Sequence, residues 1–200
     1  MKDKHKIVHP PTSDDYWDPQ KQDPLVEEVT KYIHSGTVLD IGAGYIGRDA
    51  FFLADLGFDV TATEVDDECI DNLRILNDDR GKPVKIIKGD IRTYEPEIKF
   101  DIVISDMVLH FLDTAEIVPA IRKIQDITEP RGFNVITAYT TKNPAGKRPY
   151  MFNPGELLKY YDGWKIIQYT EKPTPWFKLP KEPKARRNEA VYLLAQKSKG

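Results

Sequence analysis

The sequence contains little of what several classes of protein require. Its single cysteine, Cys69, excludes an internal disulfide and a thiolate metal cluster. No apolar run approaches the roughly 18 residues of a membrane-spanning helix, and the polar start MKDKHKIVHPP is unlike a secretory signal. A formal net charge of -3 gives no overall attraction to nucleic acid or to an anionic membrane. These absences predict a cytoplasmic protein with a small-molecule substrate and no nucleic-acid or membrane partner.

Patterns that bind metal ions are missing as well. The histidines, at positions 5, 9, 34 and 110, do not have the spacing of metal ligands. The sequence therefore predicts no metal site, and it leaves the oligomeric state open.

Apolar runs alternate with amphipathic segments along most of the chain. Five of these runs predict strands, at 37–41, 58–63, 84–88, 100–105 and 132–139. Two more strands, 164–170 and 190–196, follow one another without a helix between them. The pattern predicts an α/β fold: a Rossmann-like, doubly wound three-layer sandwich whose seven-stranded sheet is mostly parallel and carries a C-terminal antiparallel strand pair.

Helices are predicted between the strands, at 48–56, 66–79, 113–127 and 153–161. Another helix begins at Pro24, where apolar residues recur on one face, and ends before Gly36. We expect a single domain overall. Residues 1–35 would form a lid segment and a helix packed on the core, with Tyr16 and Trp17 in the lid, and residues 36–200 would form the sheet domain.

The stretch DIGAGYIGRD, residues 40–49, follows the first predicted strand and contains G-x-G-x-x-G at Gly42, Gly44 and Gly47. This spacing occurs in loops that bind the pyrophosphate of a nicotinamide dinucleotide. Glu64 ends the second strand and lies 22 residues after Gly42, where an acid can accept both ribose hydroxyls. A nicotinamide cofactor and another adenosine-containing cofactor are both compatible with this pattern.

Asp40 separates these two possibilities. A carboxylate directly before the glycines would repel a pyrophosphate, whereas it would attract a cationic ligand. S-adenosylmethionine carries a sulfonium and an ammonium and has no phosphate. A third acid, Asp90, follows the third strand, where it could accept the amine of an adenine. The three acids favour S-adenosylmethionine, although each of them could instead be an ordinary cap at the end of a strand.

Taken in order, VLDIGAG, Glu64, the Gly89-Asp90 pair, FDIVISDMVLHFL and EPRGFNVI resemble the motifs of class I S-adenosylmethionine-dependent methyltransferases. The resemblance implies the cofactor S-adenosyl-L-methionine and the product S-adenosyl-L-homocysteine. It places the loop at the methionine end of the cofactor, Glu64 at the ribose and the end of the fourth strand at the sulfonium. The implied cofactor-binding residues are Asp40, Gly42, Ala43, Gly44, Tyr45, Glu64, Val65, Asp90, Ile91, Ser105, Asp106 and Met107.

The second half of the chain, from FDIVIS to FNPGELLKYYDGWKIIQYTE, is similar to the tellurite-resistance (TehB-like) methyltransferases. These enzymes methylate oxyanions of selenium and tellurium and thiol-like small molecules. The sequence departs from that family in two places. Tyr45-Ile46 lengthens the glycine loop, and TPWFKLPKEPKARRNEA, which contains no histidine, replaces a histidine-bearing stretch before the last strand.

Methyl transfer from a sulfonium is an in-line displacement, so the protein mainly aligns the acceptor and excludes water. We expect His110, Tyr139 and Arg187 to serve the acceptor, because His110 lies just beyond the fourth strand, Tyr139 ends the fifth and Arg187 lies in a basic tail. The tail, Lys178 to Arg187, predicts either a lid that attracts an anionic substrate or a solvated surface. A nicotinamide-dependent oxidoreductase and a non-catalytic S-adenosylmethionine-binding regulator remain alternative functions.

Overall fold

The structure is a computed structural model that describes residues 21–81, 84–144, 148–176 and 187–199. The proposed lid residues Tyr16 and Trp17 lie outside the described residues, as does the tail from Phe177 to Arg186. Within the described part, no helix is both long and apolar enough to cross a membrane.

The described residues form five α-helices: α1 (Pro24–Val29), α2 (Arg48–Asp55), α3 (Asp67–Arg80), α4 (Thr114–Asp126) and α5 (Glu156–Lys159). They also form seven strands: β1 (Thr37–Ile41), β2 (Asp59–Glu64), β3 (Lys85–Lys88), β4 (Phe100–Asp106), β5 (Thr128–Tyr139), β6 (Lys165–Pro173) and β7 (Glu189–Gln196). A 3-10 helix spans Leu109–Phe111.

All seven strands lie in one sheet of order β3-β2-β1-β4-β5-β7-β6. The first five strands in the chain pair in parallel, and β7 is antiparallel to both β5 and β6. The chain moves outward from β1 to β3 and then returns to place β4 beside β1. The predicted doubly wound, mostly parallel sheet with a terminal antiparallel pair is thus confirmed.

Apolar clusters cover both faces of the sheet. On one face, Leu39 and Ile41 of β1 pack with α4 residues such as Ile121. On the other, Val38 packs with α1 and α2, because successive strand residues point to opposite faces. Asp40 therefore shares the α1 and α2 side of the sheet with Val38. The alternation of side chains along β1 thus determines on which face of the sheet Asp40 lies.

Most element boundaries lie within one residue of the sequence prediction, and the larger differences are at α1, α5, β5 and the end of β6. α1 ends at Val29, where a turn bond from the Tyr32 N–H to the Val29 carbonyl replaces further helix. α5 ends at Lys159 because the chain tightens into i→i+3 bonds, such as Tyr160 N–H to Leu157 carbonyl. β5 begins four residues early, at Thr128, because Thr128 pairs with Phe100 before a register shift.

Candidate functional site

The carboxyl ends of β1 and β4 meet at the point where the strand order reverses, which is where open α/β sheets bind ligands. The loop after β1 is tied to β2 because the amides of Gly42 and Ala43 both donate to the Thr63 carbonyl. Gly42 has a φ of 67°, and an added Cβ would lie 2.6 Å from a methyl group of Val108. Only glycine fits there, so the β1 and β4 loops can approach closely.

The rest of the loop is more open. Gly44 also has a positive φ, but a Cβ added there would have no atom within 4 Å. Tyr45 exposes 37% of its surface, and its carbonyl accepts a hydrogen bond of 2.7 Å from Asn72 of α3. The insertion at Tyr45-Ile46 therefore leaves an aromatic ring near the loop surface, held to α3 through its backbone.

Glu64 at the end of β2 is buried and accepts three backbone hydrogen bonds. One oxygen accepts from Gly44 at 2.8 Å, and the other accepts from Val65 at 2.7 Å and Asp66 at 3.1 Å. The carboxylate thereby joins the glycine loop to the start of α3. Val65 itself is 55% exposed. The oxygen bonded to Gly44 keeps a free lone pair for a ligand hydroxyl.

A cluster of acids surrounds one arginine beneath the loop. We call it the acid cluster: Asp23, Asp40, Asp49 and Asp106 around Arg48. The Arg48 guanidinium lies 2.5 Å from Asp106 and 3.8 Å from Asp49. Asp49 also accepts a 2.7 Å hydrogen bond from the Asp23 amide, which joins α1 to α2. In the described part of the chain, four carboxyl groups from separate segments therefore share one nearby guanidinium.

Burial and mutual repulsion shift the acid cluster towards its protonated form. Burial, followed by the charges of Asp49 and Asp106, raises the pKa of Asp40 well above its usual range. Burial and the charge of Asp106 raise the pKa of Asp49 to about 7. Burial and the charges of Asp106 and Asp49 raise the pKa of Asp23 to about 8. A cation bound beside these groups would favour their ionised form, so cation binding and proton release would be coupled here.

Asp90 follows β3 and is bonded on both oxygens to Arg92, at 2.5 to 2.9 Å. These bonds to Arg92 lower the pKa of Asp90, so the carboxylate stays ionised. Ile91 beside it is buried in the core. An open groove of about 510 Å³ lies here, lined by Val65, Lys88, Gly89, Asp90, Thr93, Tyr94 and Glu95.

The three predicted residues at the end of β4 differ in their surroundings. Ser105 is fully buried, and its hydroxyl has no hydrogen-bond partner among the residues that the structure describes. Asp106 binds Arg48 on one oxygen and the Thr137 hydroxyl on the other. Met107 has a φ of 56°, and its amide donates to the Thr137 carbonyl at 2.9 Å. The positive φ turns the chain over the glycine loop and into the 3-10 helix.

His110, just after β4, and Tyr139, at the end of β5, lie together. Their rings stack with centroids 4.1 Å apart, and Phe111 contacts the imidazole from another direction at 4.4 Å. Burial, followed by the nearby Arg148 guanidinium, lowers the pKa of His110 to about 3. The Nδ1 atom of this buried imidazole has no hydrogen-bond partner in the described part of the chain. His110 is therefore uncharged at neutral pH.

Arg187 is exposed and its guanidinium lies 5.0 Å from the Trp176 ring centroid. It does not contact His110 or Tyr139 in the described structure. Its neighbour Asn188 does reach this region, because the Asn188 side-chain amide donates to the Tyr139 hydroxyl at 2.7 Å. The Asn188 side-chain carbonyl oxygen is buried, and no described residue donates a hydrogen bond to it.

Sequence reasoning missed several residues of this site. Asp23 comes from the start of α1, and no local pattern links it to a loop that follows β1. The burial of Asp49 beside Arg48 could not be read from the sequence, since charged residues are rarely buried unless they are paired. Asn188 gave no signal at all. Among the described residues, no group of three His, Cys, Asp or Glu side chains could hold a metal ion.

Comparisons with known proteins agree with this geometry. The family model described as "Tellurite resistance protein TehB" matches residues 13–182. The "Probable S-adenosyl-L-methionine-dependent methyltransferase TehB" of Haemophilus influenzae strain 10810 is 26% identical over 175 residues, which are 86% of this chain and 61% of that protein. The chain thus spans about three fifths of the length of this curated relative.

Solved structures of methyltransferases also resemble this chain. The crystal structure of TehB from Haemophilus influenzae superposes with a TM-score of 0.79 at 25% identity, over 88% of this chain and 63% of that one. The 1,6-didemethyltoxoflavin-N1-methyltransferase of Burkholderia thailandensis, solved with S-adenosylhomocysteine, has a TM-score of 0.67 at 18% identity, over 88% and 77% of the two chains. The second likeness concerns the fold alone. Since the family model covers most of its length, the chain belongs to the TehB family of tellurite resistance proteins.

Proposed function

We propose that this protein is an S-adenosylmethionine-dependent methyltransferase that transfers a methyl group to a small-molecule acceptor and releases S-adenosylhomocysteine. Membership of the TehB family supports the activity, since a relative in that family carries the name of such a methyltransferase. A neighbour of the same fold contains S-adenosylhomocysteine. Fold and name alone do not establish the reaction, so the choice of cofactor is based on the charges of the site.

The acid cluster is the observation that favours this cofactor. Three buried carboxyl groups and the half-buried Asp106 lie near one guanidinium, and a cation at the end of β1 would be stabilised as these groups ionise. S-adenosylmethionine would bring a sulfonium and an ammonium to this place, whereas a dinucleotide would bring a pyrophosphate. A nicotinamide-dependent oxidoreductase is therefore disfavoured, even though the glycine spacing matches its loop.

The predicted cofactor residues fit the three parts of S-adenosylmethionine. We assign Gly42, Ala43, Gly44 and Tyr45, with the field of Asp40, to the methionine end. Glu64 would accept a ribose hydroxyl through its remaining lone pair, next to exposed Val65. Asp90 would accept the adenine amine, with Ile91 beneath the ring. Ser105, Asp106 and Met107 would form the edge that faces the sulfonium.

The cofactor supplies an activated methyl group, and the remaining task of the protein is to align the acceptor and exclude water. We assign this task to His110, Tyr139 and Arg187, of which the first two stack at the end of β4 and β5. The acceptor would be anionic, a thiol, or a metalloid oxyanion such as tellurite or selenite. The guanidinium groups of Arg148 and Arg187, each held against an aromatic ring, support an anionic acceptor.

Two experiments test this proposal. Calorimetric titration should show binding of S-adenosylhomocysteine and no binding of NADH. The reverse result would identify an oxidoreductase. A product-release assay with thiols, selenite, tellurite, small amines and carboxylates should then show acceptor-dependent formation of S-adenosylhomocysteine. Tight cofactor binding without any methylated product would instead support a non-catalytic regulator.

A further inference from the structure

Arg148 occupies an unusual position for a surface arginine. Its guanidinium carbon lies 5.4 Å from the ring centroid of Phe111 and 5.7 Å from that of Tyr139. Among the described residues it makes no ion pair. A cation held against aromatic faces without a counter-charge is ready to bind an anion.

The backbone that follows Arg148 is hydrogen-bonded to two neighbouring elements. The Tyr150 amide donates to the His110 carbonyl at 3.4 Å, and the Phe152 amide donates to the Tyr139 carbonyl at 3.0 Å. The Tyr150 hydroxyl donates to Glu156 at the start of α5. These bonds attach the segment after residue 147 to the 3-10 helix and to β5. Arg148 is thus positioned before any ligand arrives.

Two buried polar atoms near these rings have no partner among the described residues. One is His110 Nδ1 and the other is the Asn188 side-chain carbonyl oxygen, on a side chain that also bonds to Tyr139. Buried polar groups are nearly always hydrogen-bonded, and an unpaired one at a site often awaits a ligand. Arg148, His110 and Asn188 therefore converge on the Tyr139 ring with free bonding capacity.

His110 is poorly suited to take up a proton. Its imidazole lies between the rings of Phe111 and Tyr139, and among the described residues the charged group that acts on it is the Arg148 guanidinium. Protonation would place a second buried cation beside Arg148, with no described carboxylate to compensate it. An acceptor held here must therefore already be deprotonated.

We propose that Arg148 selects the methyl acceptor by binding an anionic group of it against Phe111 and Tyr139, and that His110 beside it hydrogen-bonds to the acceptor without acting as a base. The inference rests on the proposed methyltransferase function. It defines the acceptor as a small molecule that carries an anionic group and binds with its nucleophilic atom already ionised; a thiol does so through its thiolate fraction, after losing its proton to water. Such an acceptor supplies the electron pair of the new bond to the methyl carbon, the pair of the broken carbon–sulfur bond stays on sulfur, and no proton passes to the protein.

A matched pair of thiols tests the role of Arg148. 2-Mercaptoethanesulfonate and 2-mercaptoethanol differ in one anionic group, so the ratio of their kcat/KM values reports anion selection. Arg148→Ala should lower this ratio about tenfold or more, because a charge-assisted contact is lost. For Arg148→Lys, this ratio should lie between those of the wild type and of Arg148→Ala. Arg122→Ala, an exposed arginine of α4, is the control and should leave the ratio unchanged. An unchanged ratio in Arg148→Ala would overturn the proposal.

Nuclear magnetic resonance of the complex with S-adenosylhomocysteine provides a test that needs no turnover. The His110 imidazole signals, identified by their loss in His110→Gln, should remain those of a neutral ring from about pH 5 to 8. They should shift with 2-mercaptoethanesulfonate or selenite, less with 2-mercaptoethanol, and not in Arg148→Ala. If neither anion shifts them, or if the ring titrates near its ordinary pKa of about 6.5, the proposal is wrong.

The pH dependence of turnover separates positioning from base catalysis. Replacing His110 with glutamine should raise KM but preserve the shape of the pH profile, since glutamine can hydrogen-bond but cannot titrate. If the turnover rate of His110→Gln fell by about two orders of magnitude or more, as expected for a missing base, proton transfer would be shown. Failure of S-adenosylhomocysteine to bind the wild-type protein would instead refute the methyltransferase function itself.

Discussion

Replacing Asp49 with asparagine is expected to stabilise the ligand-free protein in a pH-dependent manner. Asp49 is buried beside Asp106, and its pKa is raised from 3.8 to about 7. Asparagine has the same shape, and its carbonyl oxygen can still accept the bond from the Asp23 amide. The substitution therefore removes the charge while it keeps the packing and this hydrogen bond.

The magnitude follows from the shift in pKa. Because the folded protein holds the Asp49 proton more tightly than the unfolded chain, ionisation destabilises the fold as the pH rises from 3.8 to about 7. A shift of this size corresponds to about 4 kcal/mol, at roughly 1.4 kcal/mol per pKa unit. Asp49→Asn does not undergo this ionisation. Its free energy of unfolding should therefore exceed that of the wild type by an amount that grows between pH 3.8 and about 7 and is constant above about pH 8.

Chemical denaturation of the two proteins at several pH values between about 5 and 8.5 measures this difference. Asp59→Asn, at the exposed start of β2, is the control and should show no growing advantage. If the free energies of unfolding of wild type and Asp49→Asn differed by the same amount at every pH, the acid cluster would carry no electrostatic strain. A variant less stable than wild type at about pH 8 would show that the Arg48 contact dominates.

The remaining predictions concern the cofactor loop and the core. Glu64→Gln should weaken binding of S-adenosylhomocysteine by roughly 1.5–3 kcal/mol, because a charge-assisted contact is lost. Calorimetry measures this loss, and the exposed control Glu97→Gln should bind like the wild type. An unchanged affinity in Glu64→Gln would remove Glu64 from the ribose site. Gly42→Ala should reduce the free energy of unfolding by about 1–3 kcal/mol more than Gly44→Ala. The two share a positive φ, but only at Gly42 would the new carbon meet Val108, at 2.6 Å; equal losses in denaturation would contradict this contact. Tyr161→Phe should lower the free energy of unfolding by about 1–3 kcal/mol, because the buried side-chain carbonyl oxygen of Asn134 would lose its 3.0 Å hydrogen bond from the Tyr161 hydroxyl. An unchanged free energy of unfolding in denaturation would mean that another donor replaces the hydroxyl.

The strands of this protein can be predicted because each is a local apolar pattern bounded by glycine, proline or acid. The pattern predicts β1 at its observed bounds, and it indicates the terminal pair through two strands without an intervening helix. Helix ends are less predictable, since α1 and α5 end in turns fixed by backbone geometry and not by residue type.

The acidic character of the cofactor side can also be predicted in part from the sequence. Asp40 and Glu64 lie in the last residues of β1 and β2 and Asp90 lies just after β3, and the carboxyl ends of parallel strands meet at one edge. What each acid contacts is not predictable from its position. Glu64 binds backbone amides and Asp90 binds Arg92, since hydrogen-bond partners depend on which segments the fold brings near.

The mostly parallel sheet and its acidic edge follow from the amino-acid pattern alone, because short-range periodicity and the rules of βα connection are enough to specify them. The packed fold was needed to bring Asp23 against Asp49, which is 26 residues away in the chain, and to hold Arg148 over the rings of Phe111 and Tyr139. Burial and electrostatic repulsion act through space, so the raised pKa values of the acid cluster and the uncharged state of His110 exist only once the chain has folded.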